Sequence, residues 1–584
     1  MHAKCLFFIA FLFGSGGPLL ASECGSPATP IASIQGATPV SPLADQWVTV
    51  EGVMTLDARS ADGLRGFYLQ QTDTETDGDP ATSEALFVYT DNKTGQQGHR
   101  VRVSGRVKEF HELTELTAVK ALADCGPAPM PKAVELSVLW PEGIDPEHLE
   151  NMRVSYKGSL TVIDSYNLAR YGELTLAPTL QWVPTQHLVP GPDAHARGKT
   201  QEKQRLILDD ASSRRNPRPV PYPPPALAYS NSVRAGDRIT GLAGIIDYRF
   251  GAWRLQPTTT PVFESRKPRP PAPGKPEGSN LRVVTFNLGN YFNGDGQGKG
   301  FSGQRGASDI TALKRQTARF QDVVTSLEPD ILTVMEVEND GYGPDSALAN
   351  LAEALGDDWA YLTTDQRPGR DAIKVAILYR PSQIEPVGST RLQASIDGGR
   401  PAMAQMFQSP ADAQTLRVVA SHLKSKSCRG ANGLNRAQKD GQGCYAKARE
   451  QAAVALSDWL KSLSGPMPTA GTLVTGDLNS YARETPLKRL AEAGFTDLIR
   501  QRQGAESYSY RFRGRAGTLD YLLADDSLQS RIMAAQTWAI NADEPRALST
   551  DGALNSGAES PPDTTGPAPW RSSDHDPLVL DLGL

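Results

Sequence analysis

The chain has 584 residues, a formal net charge of -6 and five cysteines. That length exceeds what one hydrophobic core supports, and about two to four domains are expected. The acidic balance excludes a globally basic nucleic-acid coat, while local basic patches and bound cations can still supply a positive field.

Met1-His2-Ala3-Lys4 is a basic start, and residues 5–13 form a short apolar core followed by Ala21-Ser22. The run falls short of the roughly 20 apolar residues that span a bilayer, so 1–22 reads as a secretory signal peptide. Glu23 before Cys24 argues against a lipoprotein. No later stretch could span a membrane, and the mature protein is expected to be exported, either extracellular or periplasmic. Without Cys5, an even set remains: Cys24, Cys125, Cys428 and Cys444. An even set suits disulfides in an oxidising compartment. Three pairings are open; the favoured one joins Cys24 to Cys125 around the N-terminal module and Cys428 to Cys444 across a Gly/Lys/Arg-rich loop. Without CxxC spacing a metal site on these thiols is disfavoured.

Residues 23–130 contain alternating strand candidates at 47–53, 66–70, 86–89 and 101–107, punctuated by glycines, which predicts a small β-barrel. The acidic stretch 73–79 reads as a solvated loop; its spacing is not that of an EF-hand, which leaves Ca²⁺ a minority alternative. A second β module over 131–263 has candidates near 153–158, 172–176 and 237–242. These surround a basic, Pro-rich insertion holding Arg214-Arg215-Asn216-Pro217-Arg218. Lysines and arginines mixed with Tyr166, Tyr171 and Trp253 suit an oligonucleotide-binding (OB) barrel, although such rings serve a core as readily. A stiff Pro-rich linker occupies 264–280.

From 281 to 584 strands alternate with helices. Strands are predicted at 281–287, 330–337, 375–380, 416–423, 473–479, 518–524 and 577–582, and helices near 309–327, 346–355, 446–462 and 486–493. This is an α/β sandwich pattern. Polar residues gather where the strands end: Asn287, Glu336, His422, Asp477 with Asn479, Asp520, and Asp574-His575. One such residue is an ordinary turn former; a whole set at strand exits points to a site. Carboxylate and amide oxygens suit a hard cation such as Mg²⁺, and a histidine can activate water, which together fit phosphodiester hydrolysis. Asp477 and Asn479, two apart, are expected on one strand face. Zinc is disfavoured for want of thiolates or HxxxH spacing.

The set Thr285-Phe286-Asn287, Met335-Glu336, Ser421-His422-Leu423-Lys424-Ser425-Lys426, Gly476-Asp477-Leu478-Asn479-Ser480, Leu519-Asp520-Tyr521 and Ser573-Asp574-His575-Asp576-Pro577 resembles the endonuclease/exonuclease/phosphatase superfamily. The resemblance implies a deoxyribonuclease I-like four-layer α/β sandwich over 281–584, preceded by two mostly-β OB-like modules. The whole chain is similar to the ExeM/NucH family of bacterial secreted endonucleases. That likeness rests on the export signal, the upstream modules, Arg305-Gly306-Ala307, Arg315-Gln316, Glu336-Val337-Glu338-Asn339-Asp340 and Gly441-Gln442-Gly443-Cys444. It implies Asn287, Glu336 and Asp574 around Mg²⁺, with Mn²⁺ as an alternative and Ca²⁺ as a structural one. His575 is implied as general base, oriented by Asp520. Asp477 and Asn479 would position water and phosphate, and His422 would donate to the phosphate or leaving oxygen. Glu338, on the same strand face two residues on, competes with Glu336, which matches the motif better. Asp576 is the weakest candidate of its motif.

Lys424, Lys426 and Arg429 flank His422, and Arg511, Arg513 and Arg515 precede Asp520 among Tyr508 and Tyr510. These are candidate phosphate contacts and stacking rings, with solvated surface and plain packing as the alternatives. The expected protein is a secreted, monomeric, metal-dependent endonuclease that cuts DNA, or RNA as well, with little sequence preference and 5′-phosphate products. No apolar anchor follows the last strand, which favours release or periplasmic residence. The alternatives are a phosphatase or phosphodiesterase acting on a phospholipid headgroup or small phosphate ester, and a non-catalytic extracellular DNA-binding protein.

Overall fold

The computed structural model describes residues 23–140, 145–302, 305–394, 399–409, 414–463, 469–549 and 569–584; the signal peptide read at 1–22 lies outside the described residues. Two compact units divide the chain. The first runs to Tyr156 and adds Ala211–Ser213 and Ala243–Thr259; the second holds Lys157–Asp210, Arg214–Leu242 and Thr260–Leu584.

In the first unit β1 (Trp47–Ala58), β2 (Gly66–Gln70), β3 (Ala85–Tyr89), β4 (His99–Phe110) and β5 (Leu113–Pro127) close into a barrel of order β1-β2-β3-β5-β4. Side chains two apart, such as Phe67 and Leu69, Leu86 and Val88, and Val101 and Val103, fill it, as strand periodicity requires. β3 and β5 run parallel and the other neighbours antiparallel. Cys24 and Cys125 are disulfide-bonded, the favoured pairing. The acidic stretch is a surface loop in which Asp77 and Asp79 accept from the backbone N–H of Asp79 and Ala81. Strands expected in one module over 131–263 are shared between the units. Val134–Leu136, Arg153–Tyr156, Ala243–Arg249 and Ala252–Pro257 belong to the first, and Leu160–Asp164, Leu174–Ala177, Leu206–Leu208, Arg238–Thr240 and Val262–Glu264 to the second.

From residue 281 the strands are β6 (Leu281–Tyr291), β7 (Ile331–Glu338), β8 (Ala360–Tyr361), β9 (Ile373–Tyr379), β10 (Glu385–Leu392), β11 (Met403–Gln408), β12 (Thr415–Ala420), β13 (Thr472–Asp477), β14 (Thr496–Asp497), β15 (Asp520–Ala524), β16 (Ile532–Thr537) and β17 (Leu578–Leu582). They make two six-stranded sheets, β8-β9-β7-β6-β17-β16 and β10-β11-β12-β13-β15-β14. Strand alternation assigns the layers. Leu281, Val283, Val375 and Ile377 of one sheet meet Leu416, Val418, Leu473 and Leu522 of the other. The opposite faces pack on helices: Val284, Phe286, Leu332 and Val334 on α1 (Ile310–Leu327) and α2 (Ala347–Leu355), and Val419, Val474 and Leu523 on α3 (Ala446–Ser462) and α4 (Thr485–Glu492). Side-chain caps fix two helix starts, Asp309 accepting from Ala312 N at 2.8 Å and Ser346 from Ala349 N at 3.2 Å. The result is the expected four-layer α/β sandwich.

Within the second unit Lys157–Asp210 packs on this sandwich. Gln181–Trp182 runs parallel to Arg515–Gly517, which forms a hairpin with Tyr510–Phe512. Thr185 Oγ1 donates to Glu484 at 2.8 Å, and Gln186 Oε1 accepts from Thr518 N at 3.1 Å. The Pro-rich linker is strapped down as well: Arg269 pairs with Glu544 at 2.8 Å and Lys267 Nζ donates to Tyr508 at 3.0 Å.

Candidate active site

The polar residues at strand exits continue the faces that form the inter-sheet core. Asn287 follows the parity of Leu281 and Val283, His422 that of Leu416 and Val418, Asp477 that of Leu473 and Thr475, and Asp520 that of Leu522. Where the apolar core ends, the same alternation therefore delivers a polar cluster between the two sheets. Thr475 Oγ1 already donates across to Thr333 Oγ1 at 2.9 Å just below it. Gly476 makes the approach of β12 to β13 possible: its φ is +124°, and a Cβ there would stand 2.0 Å from the Ser421 carbonyl oxygen.

Asp477 and Asp520 are cross-strand partners in β13 and β15. Like charges opposite one another are destabilising unless each has its own partners. Asp520 Oδ2 accepts from His575 Nδ1 at 2.7 Å and from Ser509 Oγ at 2.7 Å. Asp477 accepts from Asn287 Nδ2 at 3.1 Å and Asn479 N at 2.8 Å, and His422 Nε2 lies 3.4 Å away. Burial opposes the Asp477 charge, but His422, His575 and the Asn479 N–H outweigh it and hold the carboxyl at about 2. Burial, with Arg400 nearby, pushes His422 down to about 4, so its ring is neutral at physiological pH. Burial also works against a cationic His575, yet Asp520, Asp574 and Asp477 hold it well above the ordinary histidine value. The ligand atoms of Asp477, Asp520 and His575 lie within 4.8 Å of one another, so the Asp520–His575 hydrogen bond sits in the field of the Asp477 charge.

Glu336 reaches this cluster through a β-bulge. Val334 pairs with Ala376 while Val337 pairs with Lys374, so β7 carries one extra residue. Val334 and Val337 consequently both face the helices. A regular strand would have sent Glu336 after Leu332 and Val334; the bulge, with φ of 64° at Glu336, turns it to the inter-sheet side. Glu338 is engaged elsewhere, accepting from Asn293 N at 3.1 Å.

Burial and then the charge of Asp574 push Glu336 up to about 7. Among the described residues no hydrogen-bond donor meets the Glu336 carboxylate, and Asp574 receives only Ser573 Oγ at 3.5 Å. Two crowded carboxylates with spare lone pairs are the donor chemistry a hard divalent cation satisfies. Gly289 keeps the neighbourhood open: a Cβ there would stand 3.3 Å from Asp574 Oδ1. The residues thus fit a divalent ion.

One sequence expectation changes. β13 stops at Asp477, and Asn479 lies in a left-handed turn at φ of 47°, so the pair does not share a strand face. The Asp477 side chain folds back on the Asn479 N–H instead, and Asn479 Nδ2 donates to Leu423 O at 3.1 Å. Asp576 is a buried brace, its Oδ1 accepting from the N–H of Asn541 at 2.6 Å and of Ala542 at 3.2 Å.

The candidate substrate residues divide. Lys424 and Arg429 are exposed. Lys426 is tied to buried Glu484, and Arg511 to buried Asp543 at 2.7 Å, so both charges are spent inside the protein. Arg515 donates to Gly198 O at 2.7 Å. Arg513 is exposed at the hairpin tip, Tyr508 is buried on Asp543, and the Tyr510 ring stacks on His575 with centroids 4.4 Å apart. Cys428 and Cys444 are bonded as favoured, closing the loop beyond His422. Sequence reasoning missed Ser509, which braces Asp520, and Arg400, whose Nε donates to the His422 carbonyl at 3.2 Å. Neither lies in a recognisable motif.

This chain belongs to the Endonuclease/Exonuclease/phosphatase family, whose model matches residues 284–575. Members of that superfamily are hydrolases of phosphate esters, typically dependent on a divalent metal. Residues 141–267 match a domain of unknown function. No curated protein matches the chain. Similar solved structures include the human Nocturnin catalytic domain with bound sulfate (15% identity, 53% of this chain and 96% of that one, TM-score 0.32). A Bacteroides thetaiotaomicron VPI-5482 mannosyl-6-phosphatase is another (15%, 52% and 99%, TM-score 0.35). So is D. rerio TDP2 complexed with single strand DNA product (12%, 52% and 99%, TM-score 0.33).

Proposed function

We propose that the protein is an exported, divalent-metal-dependent nuclease of the ExeM/NucH type that hydrolyses DNA phosphodiester bonds with little sequence preference. The observation that carries this reading is the buried Asp520–His575 pair set beside the donor-poor carboxylates Glu336 and Asp574. A divalent cation, Mg²⁺ first with Mn²⁺ as an alternative, would be held by Asn287, Glu336 and Asp574 and would supply positive charge against the phosphoryl oxygens. Asp520 holds His575 Nδ1 and, with Asp574 and Asp477, favours the imidazolium; the positive charge of a bound cation would offset those carboxylates and free the neutral ring's Nε2 to take a proton from water. Neutral His422 donates a hydrogen bond to the phosphate or leaving oxygen, while Asp477 and Asn479 hold the water and phosphate in place.

A polymer substrate is supported by the first unit. Its strand order, with β3 and β5 parallel, suits an OB barrel, and exposed rings on it carry cations: Lys120 over Trp47 at 3.5 Å and Lys108 over Phe110 at 5.2 Å. Export is supported by both disulfides and by the absence, among the described residues, of a helix long and apolar enough to cross a membrane. The test is one divalent-metal assay over plasmid DNA, RNA, sphingomyelin and inositol phosphates, with EDTA controls. DNA cleavage that needs metal is expected; preferential hydrolysis of either small phosphate ester, or DNA binding with no cleavage, would replace the proposal.

A further inference from the structure

The active site opens at Asp574 and Tyr510 into a groove of about 700 Å³. The groove is lined by the strand end and turn at 163–167, which precede the portion matched by the family model, by the hairpin tip at 512–514 and by Gln316 of α1. Two rings are left to solvent there, Tyr166 at 59% and Phe512 at 53% exposure. Arg546 lies 4.8 Å from the Tyr166 ring centroid and Arg513 lies 5.3 Å from that of Phe512.

Beyond Asp574, which is assigned to the cation, the groove's acids are already engaged. Asp543 pairs with Arg511 at 2.7 Å, Glu544 with Arg269 at 2.8 Å, and Asp164 accepts from Tyr166 N at 2.8 Å. Arg571 bonds only neutral oxygens, Ser549 Oγ at 3.0 Å and Asn541 O at 2.8 Å. Among the described residues, Arg513, Arg546 and Arg571 therefore have no carboxylate partner. Gln316 is buried, yet its Oε1 has no partner among the described residues. Exposed rings, unneutralised guanidinium groups and a spare amide acceptor, leading away from a phosphoryl site, match the alternation of base and phosphate along a nucleic-acid strand.

We propose that this groove holds the nucleotides flanking the scissile phosphate as an unpaired strand, one base stacked on the face of Tyr166 that Arg546 does not cover and the backbone phosphates met by Arg513 and Arg571. The proposal rests on the phosphodiesterase reading above. Stacking requires a base freed from its own duplex neighbours, so single-stranded or frayed DNA is taken ahead of intact duplex. Contact is through base faces and phosphates, which makes the groove indifferent to sequence.

Photo-crosslinking with a single-stranded oligonucleotide carrying 5-iododeoxyuridine, performed on the full chain in EDTA, reports the ring against which the base lies. Crosslinks to Tyr166 or Phe512 are expected. In steady-state cleavage of the same oligonucleotide with Mg²⁺, Tyr166→Ala should raise KM about tenfold, with Tyr166→Phe close to wild type. Crosslinks confined to other rings, together with a wild-type KM in Tyr166→Ala, would overturn the groove and leave the nuclease reading standing. A strand that crosslinks at Tyr166 but is never cut would support the groove and overturn the nuclease reading.

Discussion

Glu336 is half-buried and stands in the field of Asp574 and Asp477; burial first, and those charges next, raise its carboxyl to about 7. A carboxyl raised in the folded state holds its proton more tightly there than in the unfolded chain. The stability it contributes is complete below the ordinary value of 4.5 and is lost as pH climbs through about 7. The loss is on the order of 2 kcal/mol, allowing for partial exposure. Glu336→Gln removes the ionisation. In EDTA the variant should melt a few degrees above wild type at pH 8 and level with it near pH 4.5. A variant less stable than wild type at pH 8 would show that Glu336 is not strained by its neighbours. The same ionisation is what a cation would reward, so metal affinity should climb with pH over this window.

At the level of elements, the site depends on two backbone irregularities. The β7 bulge faces Glu336 inward, and Gly476 lets the Ser421 carbonyl sit against β13. Gly476→Ala has no room for its Cβ and a disfavoured φ, and should cost about 2–4 kcal/mol and displace Asp477. Chemical denaturation reads the cost; a loss within about 0.5 kcal/mol would mean that β12 and β13 separate freely. The strands that carry the site were legible in sequence because their inner faces are mostly apolar up to the final polar residue, as in Leu416, Val418, Ala420 and His422. The strands that escaped notice lack that contrast. β10 is an almost wholly exposed edge containing Pro386 and Gly388, and a register shift interrupts β16 between Ile532 and Ala534. The bulge at Glu336 left no trace in sequence: strict alternation names the residue correctly and sends it to the wrong layer.

On the scale of the whole molecule, sequence composition separated upstream β modules from the α/β half but could not show how far the second of these merges with the sandwich. Contacts between residues 300 positions apart carry no local periodicity. Within the second unit, Glu544 is buried and held by Arg234 at 2.9 Å and Arg269 at 2.8 Å, both preceding residue 281. Asp543 has Arg234 as a further partner at 3.8 Å. Removing one partner of a buried pair costs about 3–5 kcal/mol. Residues 281–584 expressed alone should therefore melt at least several degrees below the full chain, or fail to fold. Differential scanning calorimetry decides this; a fragment as stable as the parent would return the Pro-rich stretch to the status of a passive linker.

The account centres on His575, oriented by Asp520 and placed beside carboxylates that suit a divalent ion. A plasmid-cleavage time course comparing wild type with His575→Ala, in Mg²⁺ and in EDTA, tests it most directly. Wild type should nick and linearise DNA only with Mg²⁺. The variant, unchanged in its circular dichroism, should lose at least about a hundredfold in rate. Near-normal turnover by His575→Ala, or wild-type cleavage that persists in EDTA, would contradict the account.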